Sequence, residues 1–175
     1  MKDIYEHIKN IPSDSKVLLL GNALSNEFDF TIEVKNHIDY SLEKFGNNLS
    51  LGDYDFKSSE DYVAFFKSID LLNEFDIDNI DVCDYIELRY VLHLSKFSNE
   101  KKYDIIDKLY NKLNKNGSIG MQCYYKLSDN NKYKDYNLHN LWTDIDNEYI
   151  SDKYDCDISK SSDDGGYYYI LVIKK

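Results

Sequence analysis

Apolar residues run without interruption from Val17 to Leu20, and that continuity predicts a short strand buried on both faces, as in a parallel sheet. Ahead of it, Ile4, Tyr5 and Ile8 fall on one side of a short helix over residues 3–10 that Pro12 ends. Beyond it, residues 28–34 alternate with a period of two, as a strand or extended loop does, and a further strand candidate reaches Ile38-Asp39-Tyr40. Asn48 to Leu51 reads as another short strand, closed by Gly52-Asp53. From Ser59 to Phe75 the apolar positions Tyr62, Val63, Phe65, Phe66, Ile69, Leu72 and Phe75 recur at helical spacing, with Ser59 as the N-cap.

In the second half, Cys83 to Leu94 alternates and then becomes apolar, predicting a strand that turns into a loop near Val91. Ser98 caps a helix whose stripe is Tyr103, Ile106, Leu109, Tyr110 and Leu113, and Gly117 stands where a left-handed residue ends such a helix. A strand of about eight residues, "SIGMQCYYKL", follows, and Leu138, Leu141, Trp142, Ile145 and Tyr149 suggest one more short helix. Tyr154–Ser159 and Tyr167–Ile173 flank "KSSDDGG", which predicts a hairpin turning at Gly165 and Gly166. Strands alternating with helices and then a hairpin give one α/β domain over residues 1–175. Its sheet is mostly parallel, with helices on both faces and an antiparallel hairpin after them.

The 17 Tyr and 8 Phe exclude a disordered chain, since they supply enough apolar surface for a core. A net charge of −11 works against binding a nucleic-acid backbone or an anionic membrane. The lysines at 112 and 115 read as a solvated helix end. Cys83, Cys123 and Cys156 are odd in number and widely spaced, which fits a reducing compartment better than a disulfide framework or zinc site. With no apolar leader and no run of about 18 apolar residues, the expected location is the cytoplasm.

Chemistry-bearing motifs are sparse. His7, His37 and His139 show no metal-ligand spacing, so no metal is expected, and neither a nucleophile elbow nor a P-loop occurs. Tyr167 to Tyr169 are explained by strand alternation more simply than by base stacking.

The order of the pieces carries more than any one of them. "KVLLLG", "NHIDYSLEKFG", "LSLGDYDF", "CDYIELRYVLHLSKF", "IIDKLYNKLNKNGSIGMQ" and "GYYYILVIKK" together resemble a small class I S-adenosylmethionine-dependent methyltransferase, with "NHIDYSLEKFG" as its second strand and "LSLGDYDF" as its third. The resemblance covers nearly the whole chain from Lys16 and implies a Rossmann-like methyltransferase fold, S-adenosylmethionine as cofactor, and methyl transfer to a small-molecule or protein substrate.

It also implies roles. Gly21 stands for the first glycine of the cofactor loop, with Asn22 and Ala23 after it; Asp39 for the acid that holds the ribose hydroxyls; and Asp53 for the acid facing the adenine amino group. Glu87 to Tyr90 fall where cofactor and substrate meet, Glu87 on the cofactor side, with Tyr90 and His93 the candidates for catalysis. The chain departs from the family at Leu19, where an acid is usual, in lacking the second and third glycines, and in a span between Gly21 and Asp39 too poor in helical pattern to promise the first crossover helix. These departures leave a second reading: a methyltransferase-like domain without activity that serves as a regulatory or binding subunit, toward a protein partner or a second copy of itself.

Overall fold

The computed structural model describes residues 4–21, 32–53, 65–131, 134 and 139–175. Seven strands form one sheet: β1 (Val17–Leu20), β2 (Leu49–Asp53), β3 (Phe66–Ser68), β4 (Cys83–Arg89), β5 (Leu113–Leu127), β6 (Asp155–Asp163) and β7 (Gly166–Lys174), in the order β3-β2-β1-β4-β5-β7-β6. β3, β2, β1, β4 and β5 are mutually parallel, and β7 lies antiparallel between β5 and β6. The mostly parallel α/β sheet and its closing hairpin are therefore as the sequence pattern predicts.

Alternation along the strands sorts two cores. Leu18 and Leu20 of β1, Ile86 and Leu88 of β4, Ile119 and Met121 of β5 and Leu171 and Ile173 of β7 face one side. There they meet Ile77 of α3 (Glu74–Asp78), Ile105, Ile106 and Leu109 of α4 (Asn99–Asn111), Trp142, and Ile150 of α5 (Asp144–Lys153). Val17, Leu19, Leu49, Leu51 and Tyr85 face the other side, under Ile8 of α1 (Tyr5–Ile8) and Ile38 and Phe45 of α2 (Ile32–Phe45). The helix ends are set locally. The Ser98 side chain accepts from the Lys101 amide, and Thr143 and Asp146 form a reciprocal capping box at the start of α5.

Three expectations are corrected. "NHIDYSLEKFG" is not a strand. It belongs to α2, the crossover helix between β1 and β2 that the pattern did not promise. α2 buries His37, Ile38, Ser41 and Phe45, and because half of that face is polar its apolar periodicity is muted. "LSLGDYDF" accordingly opens the second strand rather than the third.

The helix expected over Ser59–Phe75 is replaced, from Phe65 on, by the edge strand β3, which pairs with β2 from Leu51↔Phe66 to Asp53↔Ser68, and α3 then starts at its Asn73 cap. The part of that expectation before Phe65 lies outside the described residues, as do Phe28 to Thr31, whereas Ile32 to Val34, expected to be extended, open α2. Lastly, the left-handed residue after α4 is Asn116, with φ 68°, rather than Gly117. Gly117 is needed for space, since a Cβ there would stand 2.9 Å from both the Asn114 and the Asp84 carbonyl oxygens.

Candidate functional site at the carboxyl edge of the sheet

The strand order turns around between β1 and β4. From β1 the chain crosses one face through α2 to β2, and from β3 it returns over the other face through α3 to β4. Loops leaving β1 and β4 therefore diverge and open a crevice beyond their carboxyl ends, which is where open α/β sheets bind ligands. The residues at this edge are Gly21 after β1, Asp53 closing β2, Arg89 and Tyr90 at the end of β4, Gln122 and Tyr124 of β5, and Asp163 at the β6–β7 turn.

Gly21 has φ +80°, and a Cβ on it would lie 2.0 Å from Val91 Cγ2 and 2.5 Å from the Arg89 carbonyl oxygen. A glycine is required because the outgoing ends of β1 and β4 touch here. The space its missing side chain leaves is filled by the protein itself. Asn22 and Ala23 lie outside the described residues.

Asp53 takes the strand end expected for Asp39. Asp39 is not at a strand end: it sits on the outer side of α2, half exposed, 2.6 Å from Lys35 one turn earlier. The strand beside β1 ends instead on Asp53, one residue beyond the Leu20↔Gly52 pair and thus next to Gly21.

Glu87 is wholly buried in β4, its Oε1 2.9 Å from His37 Nε2 and its Oε2 accepting from the Tyr85 hydroxyl at 3.2 Å. The structure thus ties Glu87 to α2 and to its own strand, two residues short of the crevice.

Tyr90 leaves β4 with φ 55°, an uncommon conformation for a bulky residue that turns the chain sharply out of the sheet. Its hydroxyl donates to Asp163 Oδ2 and accepts from Gln122 Nε2, both at 2.5 Å. Its ring stacks on Tyr124 at 4.4 Å, and the Tyr124 hydroxyl donates to both Asp163 oxygens at 2.9 and 3.0 Å. Burial, with Tyr124 and Asp163 close by, raises the Tyr90 hydroxyl far above the usual phenol range.

His93 meets Tyr90 and Tyr124 edge-on and stacks over His139 at 5.4 Å. Burial pushes its pKa down to about 3, so the ring is neutral at physiological pH. Nδ1 of both histidines has no hydrogen-bond partner among the described residues.

Sequence reasoning missed Gln122, Tyr124 and Asp163, and gave Arg89, inside the Glu87–Tyr90 stretch, no role of its own. Gln122 and Tyr124 become neighbours of Tyr90 when β5 pairs with β4, and Asp163 only when β7 and its turn seat beside β5. Arg89 did carry a signal, as the one arginine in the chain.

Cavities of about 260 and 380 Å³ lie elsewhere, beneath α3 and at the amino ends of β1 and β2, both lined by Ser50, Lys67 and Cys83. The three cysteines are free thiols, and burial raises all of them, Cys83 and Cys156 to about 11 and Cys123 to about 12. Among the described residues no helix is long and apolar enough to cross a membrane.

Solved structures share this arrangement. The fold is that of S-adenosylmethionine-dependent methyltransferases. The chain is similar to a methyltransferase of this type from Archaeoglobus fulgidus, with a TM-score of 0.66 and 14% identity over 98% of this chain and 91% of that one. It is similar to the 1,6-didemethyltoxoflavin N1-methyltransferase of Burkholderia thailandensis, solved with bound 1,6-didemethyltoxoflavin and S-adenosylhomocysteine, at TM-score 0.63 and 12% identity over 98% and 74% of the two chains. An O-methyltransferase family protein from Burkholderia thailandensis matches at TM-score 0.58 and 12% identity, and there this chain covers 98% of itself but spans only 55% of the other. No family model and no curated protein matches the sequence.

Proposed function

We propose that the chain is an S-adenosylmethionine-dependent methyltransferase whose acceptor is a small molecule. The observation that supports this most is the juxtaposition of Gly21 and Asp53 on adjacent strand ends beside the turn-around of the sheet, with a tyrosine wall on the far side of β4. The residues suit the group. A carboxylate at the end of β2 offers two acceptors for vicinal ribose hydroxyls, which moves the ribose role from Asp39 to Asp53. The Asp163 carboxylate, beside Tyr124, suits a cationic sulfonium.

When bound, the cofactor supplies a methyl group already activated by its positive sulfur, so the protein's task is chiefly alignment. In this reading Tyr90, held by Gln122 and Asp163, stands as a fixed wall that orients the acceptor and excludes water. With its proton so firmly held, Tyr90 shapes the site rather than exchanging protons. His93, neutral and weakly basic, extends the same wall and is not a proton carrier at neutral pH.

Calorimetric titration of the purified protein with S-adenosylmethionine and S-adenosylhomocysteine tests the proposal. Saturable binding is expected for both. No heat and no thermal shift at millimolar ligand sinks it and leaves the inactive binding-subunit reading in its place.

A further inference from the structure

Arg89 stands out from every other charged group at the carboxyl edge. The chain holds 32 acids, yet its one arginine forms no ion pair and no side-chain hydrogen bond among the described residues. The guanidinium carbon lies 4.4 Å from the Tyr5 ring centre and 5.0 Å from the Tyr90 ring centre, and Nε is sealed from water without an acceptor. A guanidinium keeps its charge at any physiological pH, and leaving its donors unmatched in a half-buried position is costly. Aromatic faces offset part of that cost but accept none of the in-plane N–H groups.

The placement has the geometry of a receptor. Arg89 ends β4, its carbonyl touches Gly21, and the next residue begins the Tyr90, Tyr124, Tyr168 and His93 aromatic group. That group lies over β4, β5 and β7, across β4 from Gly21 and Asp53. A planar fork between two rings matches a carboxylate two-to-two. In a protein of net charge −11, a small anion reaches this edge only where a fixed cation is held for it.

We infer that Arg89 is the recognition residue for a carboxylate on the methyl acceptor, and that the acceptor is an aromatic or otherwise planar acid lying against Tyr90 and Tyr124. This rests on the methyltransferase reading for the word acceptor, but not for the anion site itself.

The test is thermal denaturation of wild type, Arg89→Gln and Arg89→Lys with benzoate, benzamide, inorganic phosphate and S-adenosylhomocysteine as separate probes. Circular dichroism establishes that each variant is folded, and Arg89→Lys keeps the charge if Arg89→Gln is unfolded. Benzoate at about tenfold above its dissociation constant is expected to raise the wild-type midpoint by roughly 3–6 °C. Benzamide should not raise it, Arg89→Gln should not respond, and Arg89→Lys should respond less. S-adenosylhomocysteine should shift all three proteins alike.

An equal benzoate shift in Arg89→Gln, or none in wild type with S-adenosylhomocysteine present, overturns the inference. A shift with phosphate and not benzoate overturns the carboxylate assignment. Loss of the S-adenosylhomocysteine response in a folded Arg89→Gln overturns it too, because the guanidinium then serves the cofactor's own carboxylate. If S-adenosylhomocysteine shifts none of the proteins while benzoate still depends on Arg89, the anion site stands and the methyltransferase reading falls.

Discussion

Nε2 of His37 and Oε1 of Glu87 lie 2.9 Å apart with both side chains sealed from water, pinning α2 to β4, the central strand of the sheet. Removing His37 leaves Glu87 buried with the Tyr85 hydroxyl as its remaining partner. His37→Ala is expected to lower unfolding free energy by about 3–5 kcal/mol, measured by urea denaturation. Glu87→Gln, which keeps an acceptor for Tyr85, should cost less.

The proposed transfer of the ribose role from Asp39 to Asp53 gives a direct contrast. Asp53→Ala should weaken S-adenosylhomocysteine binding by roughly tenfold to a hundredfold, the loss of a charge-assisted hydrogen-bond pair. Asp39→Ala, on the outer side of α2, should leave the affinity unchanged. Equal effects in calorimetry would remove Asp53 from the site.

Gly21→Ala places a methyl group against Val91 and the Arg89 carbonyl in a left-handed conformation, and should destabilise the protein by about 1–3 kcal/mol. Adding Val91→Ala should recover part of that loss, since it removes one of the two clashes. A double-mutant cycle reads the coupling, and strict additivity would contradict the contact.

His93 carries a pH signature. The unfolded chain protonates this ring near pH 6.5, whereas the folded chain holds it neutral down to about 3. Its contribution to stability is therefore complete above pH 6.5 and declines as the pH falls toward 3, by about 3 kcal/mol at pH 4. His7 and His139, also lowered by burial, act in the same direction. Thermal midpoints measured from pH 7 to pH 4 should fall less steeply in His93→Phe than in wild type.

Asp163→Ala removes the acceptor shared by Tyr90, Tyr124 and the amides of Gly165 and Gly166. A loss of about 1–2 kcal/mol is expected, discounted for the exposure of the turn. Because Tyr90 would lose its clamp, the circular dichroism of its stack with Tyr124 should weaken in the near ultraviolet.

The parts legible in the sequence were those where one interaction dominates. Val17–Leu20 is buried on both faces, so its apolar run is unbroken. Ser98 caps α4 through its own side chain, and the β6–β7 turn is built from local residues. α2 and β3 were misread for opposite reasons. In α2, His37 and Ser41 occupy the buried face, so the helical stripe is half polar. In β3, three residues pair at a sheet edge, too few to show a period of their own, and the apolar residues around them happen to fall at helical spacing. Misplacing α2 put Asp39 at the strand end that Asp53 occupies. The aromatic wall was not legible, since Tyr90, Tyr124 and Asp163 are separated by 34 to 73 positions and meet only through the sheet.

β7 follows every other strand in the chain, yet it occupies an interior place, with β5 on one side and β6 on the other. In kinetic terms, β5 keeps an open edge until the hairpin has formed and docked, and only that docking carries Asp163 to Tyr90. The crevice should thus be among the last regions to mature during folding, with ligand binding recovered after most of the helical signal in a refolding experiment.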